Sequence, residues 1–82
     1  MKVIAENVEM VAWFDHAGTP RPVRFRHRGT VVRVENIQEI RDERLAGQRI
    51  KLYRCQSIIN EELKVYELKY ELDSCKWYLW KG

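Results

Sequence analysis

Arginine recurs at every second position in residues 22–29, where Arg24, Arg26 and Arg28 alternate with apolar residues and a histidine. Successive side chains of a β-strand point to opposite faces, so this pattern predicts three guanidinium groups on one face of a strand. From the rise per residue they would lie about 6.6–7 Å apart, close to the spacing of phosphates along a single nucleic-acid strand. The first candidate chemistry is therefore the binding of phosphate groups.

Charge is unevenly distributed along the chain. The net charge is only +3, but residues 16–34 contain five arginines, both histidines and no acid, whereas residues 57–75 contain five acids and two lysines. Arg33 lies in the basic stretch with Arg24, Arg26 and Arg28, and these four residues are the predicted nucleic-acid-binding set. Two structural alternatives stay open: the arginines form a solvated face, or they pair with glutamates on neighbouring strands.

Aromatic residues dominate the C-terminal end of the chain. Strand periodicity places Trp77 and Leu79 on one face of the last strand and Tyr78 and Trp80 on the other. A strand that is apolar on both faces is either fully covered or part of an interface. Trp13 is a further aromatic residue that the predicted core does not need, because it is out of phase with Phe14, which faces the core side of the first strand. These surplus aromatic residues could stack nucleic-acid bases, bind a peptide or form a homodimer interface, and we interpret Trp13, Tyr78 and Trp80 first as an interface for a protein partner or a second copy.

The sequence does not indicate catalysis. His16, His27, Cys55 and Cys75 match none of the paired-ligand spacings of zinc sites, and no third group accompanies a Cys–His pair. The four glycines are scattered, so there is no phosphate-binding glycine loop. We predict no enzyme activity, no catalytic residue, no metal and no cofactor, and we expect both cysteines to be free thiols, Cys55 buried and Cys75 exposed.

Length and composition predict one small folded domain over residues 1–82. The chain is 45% hydrophobic and 33% charged, which is too apolar for intrinsic disorder. No uncharged stretch approaches the roughly 18–20 residues needed to cross a bilayer, and residues 1–7 lack the apolar segment of a signal peptide. We therefore expect a cytoplasmic protein that does not contact membranes. Residues 1–7 are either a frayed end or a short first strand.

Alternation of apolar and polar residues along the whole chain predicts an all-β fold. A meander of five to six antiparallel strands closes most readily into a small half-open barrel of the SH3-like kind, which limits exposed edges. We expect a bend near Glu35, a charged loop over residues 41–48, and a strand over 63–72 whose odd-numbered residues face outward. The predicted strands cover residues 8–14, 22–28, 30–40, 49–59, 63–72 and 76–81.

Several short motifs occur in a recognisable order. They are Pro22-Val23-x-Phe25, Arg28-Gly29, Val32-x-Val34, Tyr53-Arg54-Cys55, Val65-Tyr66-Glu67-Leu68 and Trp77-Tyr78-Leu79. This order, over residues 22–80, resembles a family of small bacterial all-β domains of unknown function, some of them encoded beside DNA-repair polymerases. The resemblance implies a bacterial accessory domain with no known active site, and the chain departs from the pattern around residues 41–49.

Two functional hypotheses follow from these patterns. The first is a non-catalytic binding or adaptor module that mediates protein–protein interaction or self-association, and we rank it first because self-association is the commoner use of surplus aromatic residues. The alternative is a nucleic-acid-binding accessory domain that uses the arginine-rich segment 21–33. Nucleic-acid binding would weaken steeply with salt, whereas an apolar interface would be nearly indifferent to it.

Overall fold

The chain folds into seven antiparallel strands that form one sheet, curled into a half-barrel. A computed structural model describes all residues 1–82. The strands follow in the spatial order β3-β2-β1-β7-β6-β5-β4. Their bounds are β1 Val3–Phe14, β2 Pro20–His27, β3 Thr30–Arg33, β4 Asn36–Leu45, β5 Gln48–Ile59, β6 Glu62–Glu71 and β7 Lys76–Lys81. The predicted all-β class and half-open antiparallel barrel are confirmed, with seven strands rather than five to six.

The additional strand arises because the predicted strand over residues 30–40 divides into β3 and β4, and β4 extends into residues predicted to form a loop. Residues 41–45 continue β4, which pairs with β5 as far as Leu45 opposite Gln48. Four of these five residues are charged, so they show no alternation of apolar and polar side chains. Such a composition is common in an edge strand, and β4 is at the edge of this sheet. The predicted third strand divides near Glu35, as expected from the loss of phase there, into β3 and β4.

Three two-residue turns set the strand registers. Arg28-Gly29, Ala46-Gly47 and Asn60-Glu61 each connect two adjacent strands, and both residues of each turn have positive φ. Such turns match the right-handed twist of the strands they join. The β2–β3 turn therefore consists of Arg28 and Gly29, one residue earlier than the expected Gly29-Thr30, and β2 ends at His27.

The main core fills the concave side of the sheet. It contains ten buried residues: Val8, Phe25, Val32, Tyr53, Cys55, Tyr66, Leu68, Tyr70, Trp77 and Leu79. The buried Tyr53 hydroxyl donates a hydrogen bond to the carbonyl of Pro20. This bond joins the β5 side of the core to the start of β2, so the two ends of the sheet are held together by a polar contact as well as by packing.

The sheet closes at one end through the link between β3 and β4. The Val34 amide donates to the Val23 carbonyl, and the Glu35 amide donates to the Gln56 carbonyl. The Glu35 carboxylate also accepts the Ile58 amide at 2.7 Å. The two bonds of Glu35 satisfy backbone groups of β5 near the end of its pairing with β4. They therefore shorten the part of β5 that is left as an open edge.

The N-terminal residues belong to the sheet. β1 begins at Val3, which pairs with Lys81 of β7, so residues 3–7 form part of a long first strand. The Lys2 and Gly82 backbones exchange two hydrogen bonds of 3.0 Å. No helix of the structure is long and apolar enough to span a membrane.

Candidate functional site

The convex face of β1, β2 and β3 carries a regular array of exposed side chains. Met10 and Ala12 of β1, and Phe25 of β2, pack toward the core, so the residues that alternate with them point outward. Cross-strand register groups the outward residues into three rows. The rows are Trp13 with Arg21, Val11 with Arg24 and Arg33, and Glu9 with Arg26 and Val31. We call this array the arginine face.

A β-bulge adds Arg21 to the arginine face. The register between β1 and β2 shifts between Val11 and Ala12, and β2 has the extra residue Val23 there. Strict alternation would have placed Arg21 and Arg24 on opposite faces, but the bulge brings them to the same side. Arg21 was not among the predicted site residues. The prolines on either side of it were the available signal, because proline is found in strands chiefly at edges and bulges.

Arg24 and Arg33 lie directly opposite each other on β2 and β3. Neither forms an ion pair with any acid of the protein, and neither does Arg21. Like charges in this position destabilise a sheet. The alternative that all these arginines pair with glutamates is therefore wrong for the centre of the array.

Only one acid lies on the arginine face. Glu9 is 3.4 Å from Arg26, and both side chains are exposed. An exposed pair of this length contributes little to stability and is screened by salt. The pair nevertheless makes the Glu9 end of the array less positive than the Trp13 end, where Arg21, Arg24 and Arg33 form no ion pair.

A second cross-strand arginine pair provides an internal comparison. Arg44 of β4 lies opposite Arg49 of β5. Arg49 pairs with Asp73 at 3.3 Å, and Asp42 and Glu43 line the same concavity as both arginines. Two arginines directly opposite each other therefore occur twice in the fold, but only in the pair on the arginine face does neither arginine form an ion pair.

Apolar groups are interleaved with the arginines. Trp13 is 57% exposed and lies opposite Arg21. Val11 and Val31 are also exposed and border a shallow groove of about 230 Å³ between Arg24 and Arg26. Cations around an exposed aromatic and aliphatic floor are the combination used by proteins that hold nucleic acids by phosphate contacts and base stacking.

Arg28 does not lie on the arginine face. Its positive φ belongs to the β2–β3 turn, and its side chain binds both carboxylate oxygens of Glu6, with contacts of 3.1 and 2.6 Å. The His27 ring bonds the same carboxylate. Arg28 first, and His27 second, hold the pKa of Glu6 below its usual value. The alternation of strand β2 ends at this turn. The prediction that Arg24, Arg26 and Arg28 share one face is therefore wrong for Arg28.

Tyr78 and Trp80 lie together on β7 but not beside Trp13. Lys69 of β6 places its Nζ 4.5 Å from the Tyr78 ring centroid and 4.4 Å from that of Trp80. The rings thus cover a lysine that is itself buried. Trp13 lies beyond the end of the β1–β7 pairing, so the three predicted interface residues do not form one surface.

Glu67 and Lys69 of β6 point away from the core, as predicted, but are buried rather than exposed. Long side chains of the neighbouring strands cover them. Arg41 of β4 reaches to 3.6 Å from Glu67 and also approaches Glu39 and Glu43. Around Glu67 and Lys69, the convex face is therefore covered by side chains of the protein itself, in contrast to the arginine face.

Both cysteines are free, Cys55 buried and Cys75 exposed, as expected. Burial raises the pKa of the Cys55 thiol to about 12, so it is protonated at neutral pH. No three His, Cys, Asp or Glu side chains come together in a way that could hold a metal ion.

Comparison with protein-family models, curated proteins and solved structures gave no match to this chain. The resemblance of residues 22–80 to bacterial accessory domains stays a prediction.

Proposed function

We propose that this protein is a non-catalytic binding module and that its ligand is nucleic acid, held at the arginine face. The observation that carries this proposal is the pair Arg24 and Arg33, directly opposite each other with no acidic partner. Like charges directly opposite each other are destabilising, and a ligand with negative charge at both positions would remove that repulsion.

A repeating anion fits the array better than a single one. Arg21, Arg24, Arg26 and Arg33 extend over three rows and two strands, so one small anion would contact only part of the set. A phosphate backbone presents one charge per nucleotide and can contact several arginines in turn. The predicted resemblance to domains encoded beside DNA-repair polymerases favours the same ligand class, and the proposed location is the cytoplasm.

Binding of a labelled oligonucleotide, measured by fluorescence anisotropy, tests this proposal. We expect micromolar affinity at about 50 mM salt and a large loss at about 200 mM, because each arginine–phosphate contact releases a counterion. Absence of binding to both single-stranded and duplex oligonucleotides at the lower salt would overturn the proposal.

A protein-binding role is a second candidate, supported by a different surface. Ile58 and Leu63 lie opposite each other near the β5–β6 turn and are 61% and 63% exposed, with Val65 beside them. A cluster of exposed apolar side chains favours contact with another protein or a second copy. Light scattering of the native protein and of the Leu63→Ser variant tests it, because self-association through this patch would be lost in the variant.

A further inference from the structure

We infer that the nucleic acid bound at the arginine face is single-stranded, and that one of its bases stacks on Trp13. This inference rests on the proposed function and specifies its substrate. It follows from the shape of the face, from the exposed ring of Trp13 on that face, and from the position of Glu9.

The shape of the arginine face does not suit a duplex groove. Proteins read the major groove with an inserted helix or a two-stranded ribbon. This protein has no helix, and β2–β3 is not a free ribbon, because β1 continues the same surface beside it. A broad sheet surface instead suits bases that are splayed out and laid flat on it.

Trp13 is the aromatic residue available for stacking. It is 57% exposed, whereas Trp77 is buried and Trp80 covers Lys69. Phe14 is also exposed, but it alternates to the side of β1 opposite Trp13 and so lies off the arginine face. Trp13 shares a row with Arg21 and lies one row from Arg24, so a base on its ring would have its phosphates within the reach of these arginines. Stacking on the ring requires an unpaired base, because both faces of a base are occupied within a duplex.

Glu9 limits the site at its other end. Three rows span about 13 Å, from the rise of 3.3 Å per residue, so the face holds only a few nucleotides. Glu9 repels phosphate at the third row and partly neutralises Arg26. The strand therefore makes its main contacts between Trp13 and Arg33, in the first two rows.

Competition among three probes of equal length tests the inference: a single-stranded oligothymidine, a duplex, and an abasic deoxyribose-phosphate oligomer. We expect the single strand to bind tightest. Trp13→Ala should weaken its binding roughly tenfold or more, the range measured for base–aromatic stacking. Trp13→Phe should restore most of the loss, and neither variant should change binding of the abasic oligomer, which has phosphates but no bases.

A fluorine NMR spectrum of 5-fluorotryptophan-labelled protein gives a direct readout. Of the three tryptophan signals, the one absent from Trp13→Phe should move when the single strand is added. Equal binding of duplex and single strand, with no effect of Trp13→Ala, would overturn the inference but leave phosphate binding intact. Failure of all three probes to bind, the abasic oligomer included, would overturn the proposed function itself.

Discussion

Arg24 and Arg33 face each other across β2 and β3 with no acid within ion-pair distance of either. Natural sheets usually place opposite charges or neutral residues in this position, because like charges there are destabilising. The other cross-strand arginine pair, Arg44 and Arg49, has Asp73 beside it at 3.3 Å from Arg49. This contrast supports the proposal that Arg24 and Arg33 bind a ligand, whereas Arg49 is neutralised within the protein.

Replacement of Arg33 by glutamate should stabilise the protein and remove its nucleic-acid binding. The new carboxylate would lie opposite Arg24, turning a repulsive pair into an attractive one worth roughly 0.5–1 kcal/mol. Thermal unfolding should then shift upward by about 2–8 °C for a domain of this size. Arg44→Glu is the control for binding, since the same charge change far from the face should leave affinity unchanged. A less stable Arg33→Glu protein would contradict the assumed repulsion.

Replacement of Glu9 by glutamine should tighten nucleic-acid binding. The change removes the only acid of the arginine face and frees Arg26 from its 3.4 Å contact. A gain of a few fold at low salt is expected, and it should shrink as salt screens the charge. Glu62→Gln, which removes an exposed acid paired with Lys64 elsewhere on the surface, is the matched control. Equal gains in both variants would show that only the net charge matters.

Replacement of Ser57 by alanine should destabilise the fold. The Ser57 hydroxyl donates to the Arg33 carbonyl at 2.6 Å and lies 2.6 Å from the buried Tyr66 hydroxyl. Leaving these two groups without a partner should cost about 1–3 kcal/mol of unfolding free energy, measured by urea denaturation. Ser74→Ala, at an exposed serine that bonds Glu71, should change it by less than about 0.5 kcal/mol. Similar losses in both variants would show that burial of the bond is unimportant.

Trp80 and Trp13 should respond in opposite ways to replacement by alanine. Trp80→Ala uncovers buried Lys69 and should lower stability by about 0.5–2 kcal/mol, the contribution of a cation–π contact. It should leave oligonucleotide binding unchanged. Trp13→Ala should weaken binding and leave stability nearly unchanged, because Trp13 is exposed. Loss of self-association in Trp80→Ala without loss of stability would support the interface predicted from the sequence instead.

Stability should decrease at alkaline pH. Burial raises the pKa of Cys55 and of Tyr66 to about 12, from ordinary values of 9.0 and 10.0. Between those values and 12 the unfolded chain has released these protons while the folded protein still holds them, so the unfolding free energy falls as pH rises. Urea midpoints should therefore be constant up to about pH 9 and then decline. Tyr66→Phe should decline less steeply, and a constant midpoint to pH 11 would refute this explanation.

Strand periodicity predicted much of the fold but not its exceptions. The buried Tyr66, Leu68 and Tyr70 of β6 were correctly placed on the core side because they alternate without interruption. The second half of the edge strand β4, residues 41–45, was missed because nearly all its side chains are charged, and pairing with β5 outweighs their weak strand preference. Burial of Glu67 depends on the length of neighbouring side chains, which a single strand does not reveal.

The candidate site was predicted in part. Arg24, Arg26 and Arg33 share a face as alternation and pairing suggest, but a turn removes Arg28 and a bulge adds Arg21. Both exceptions are single-residue changes in backbone geometry, and each reverses the face of a side chain. The sequence also grouped Trp13 with the C-terminal aromatics, whereas strand order places it among the arginines.

The salt dependence of binding in two double variants tests the central claim most directly. Arg24→Ala with Arg33→Ala, and Arg44→Ala with Arg49→Ala, remove the same charge from the two cross-strand pairs. For a single-stranded ligand, the first double variant should bind weakly and reduce the slope of log affinity against log salt by about 1.4, from two lost phosphate contacts. The second should keep the native affinity and slope. Equal weakening by both double variants would contradict a site at the arginine face.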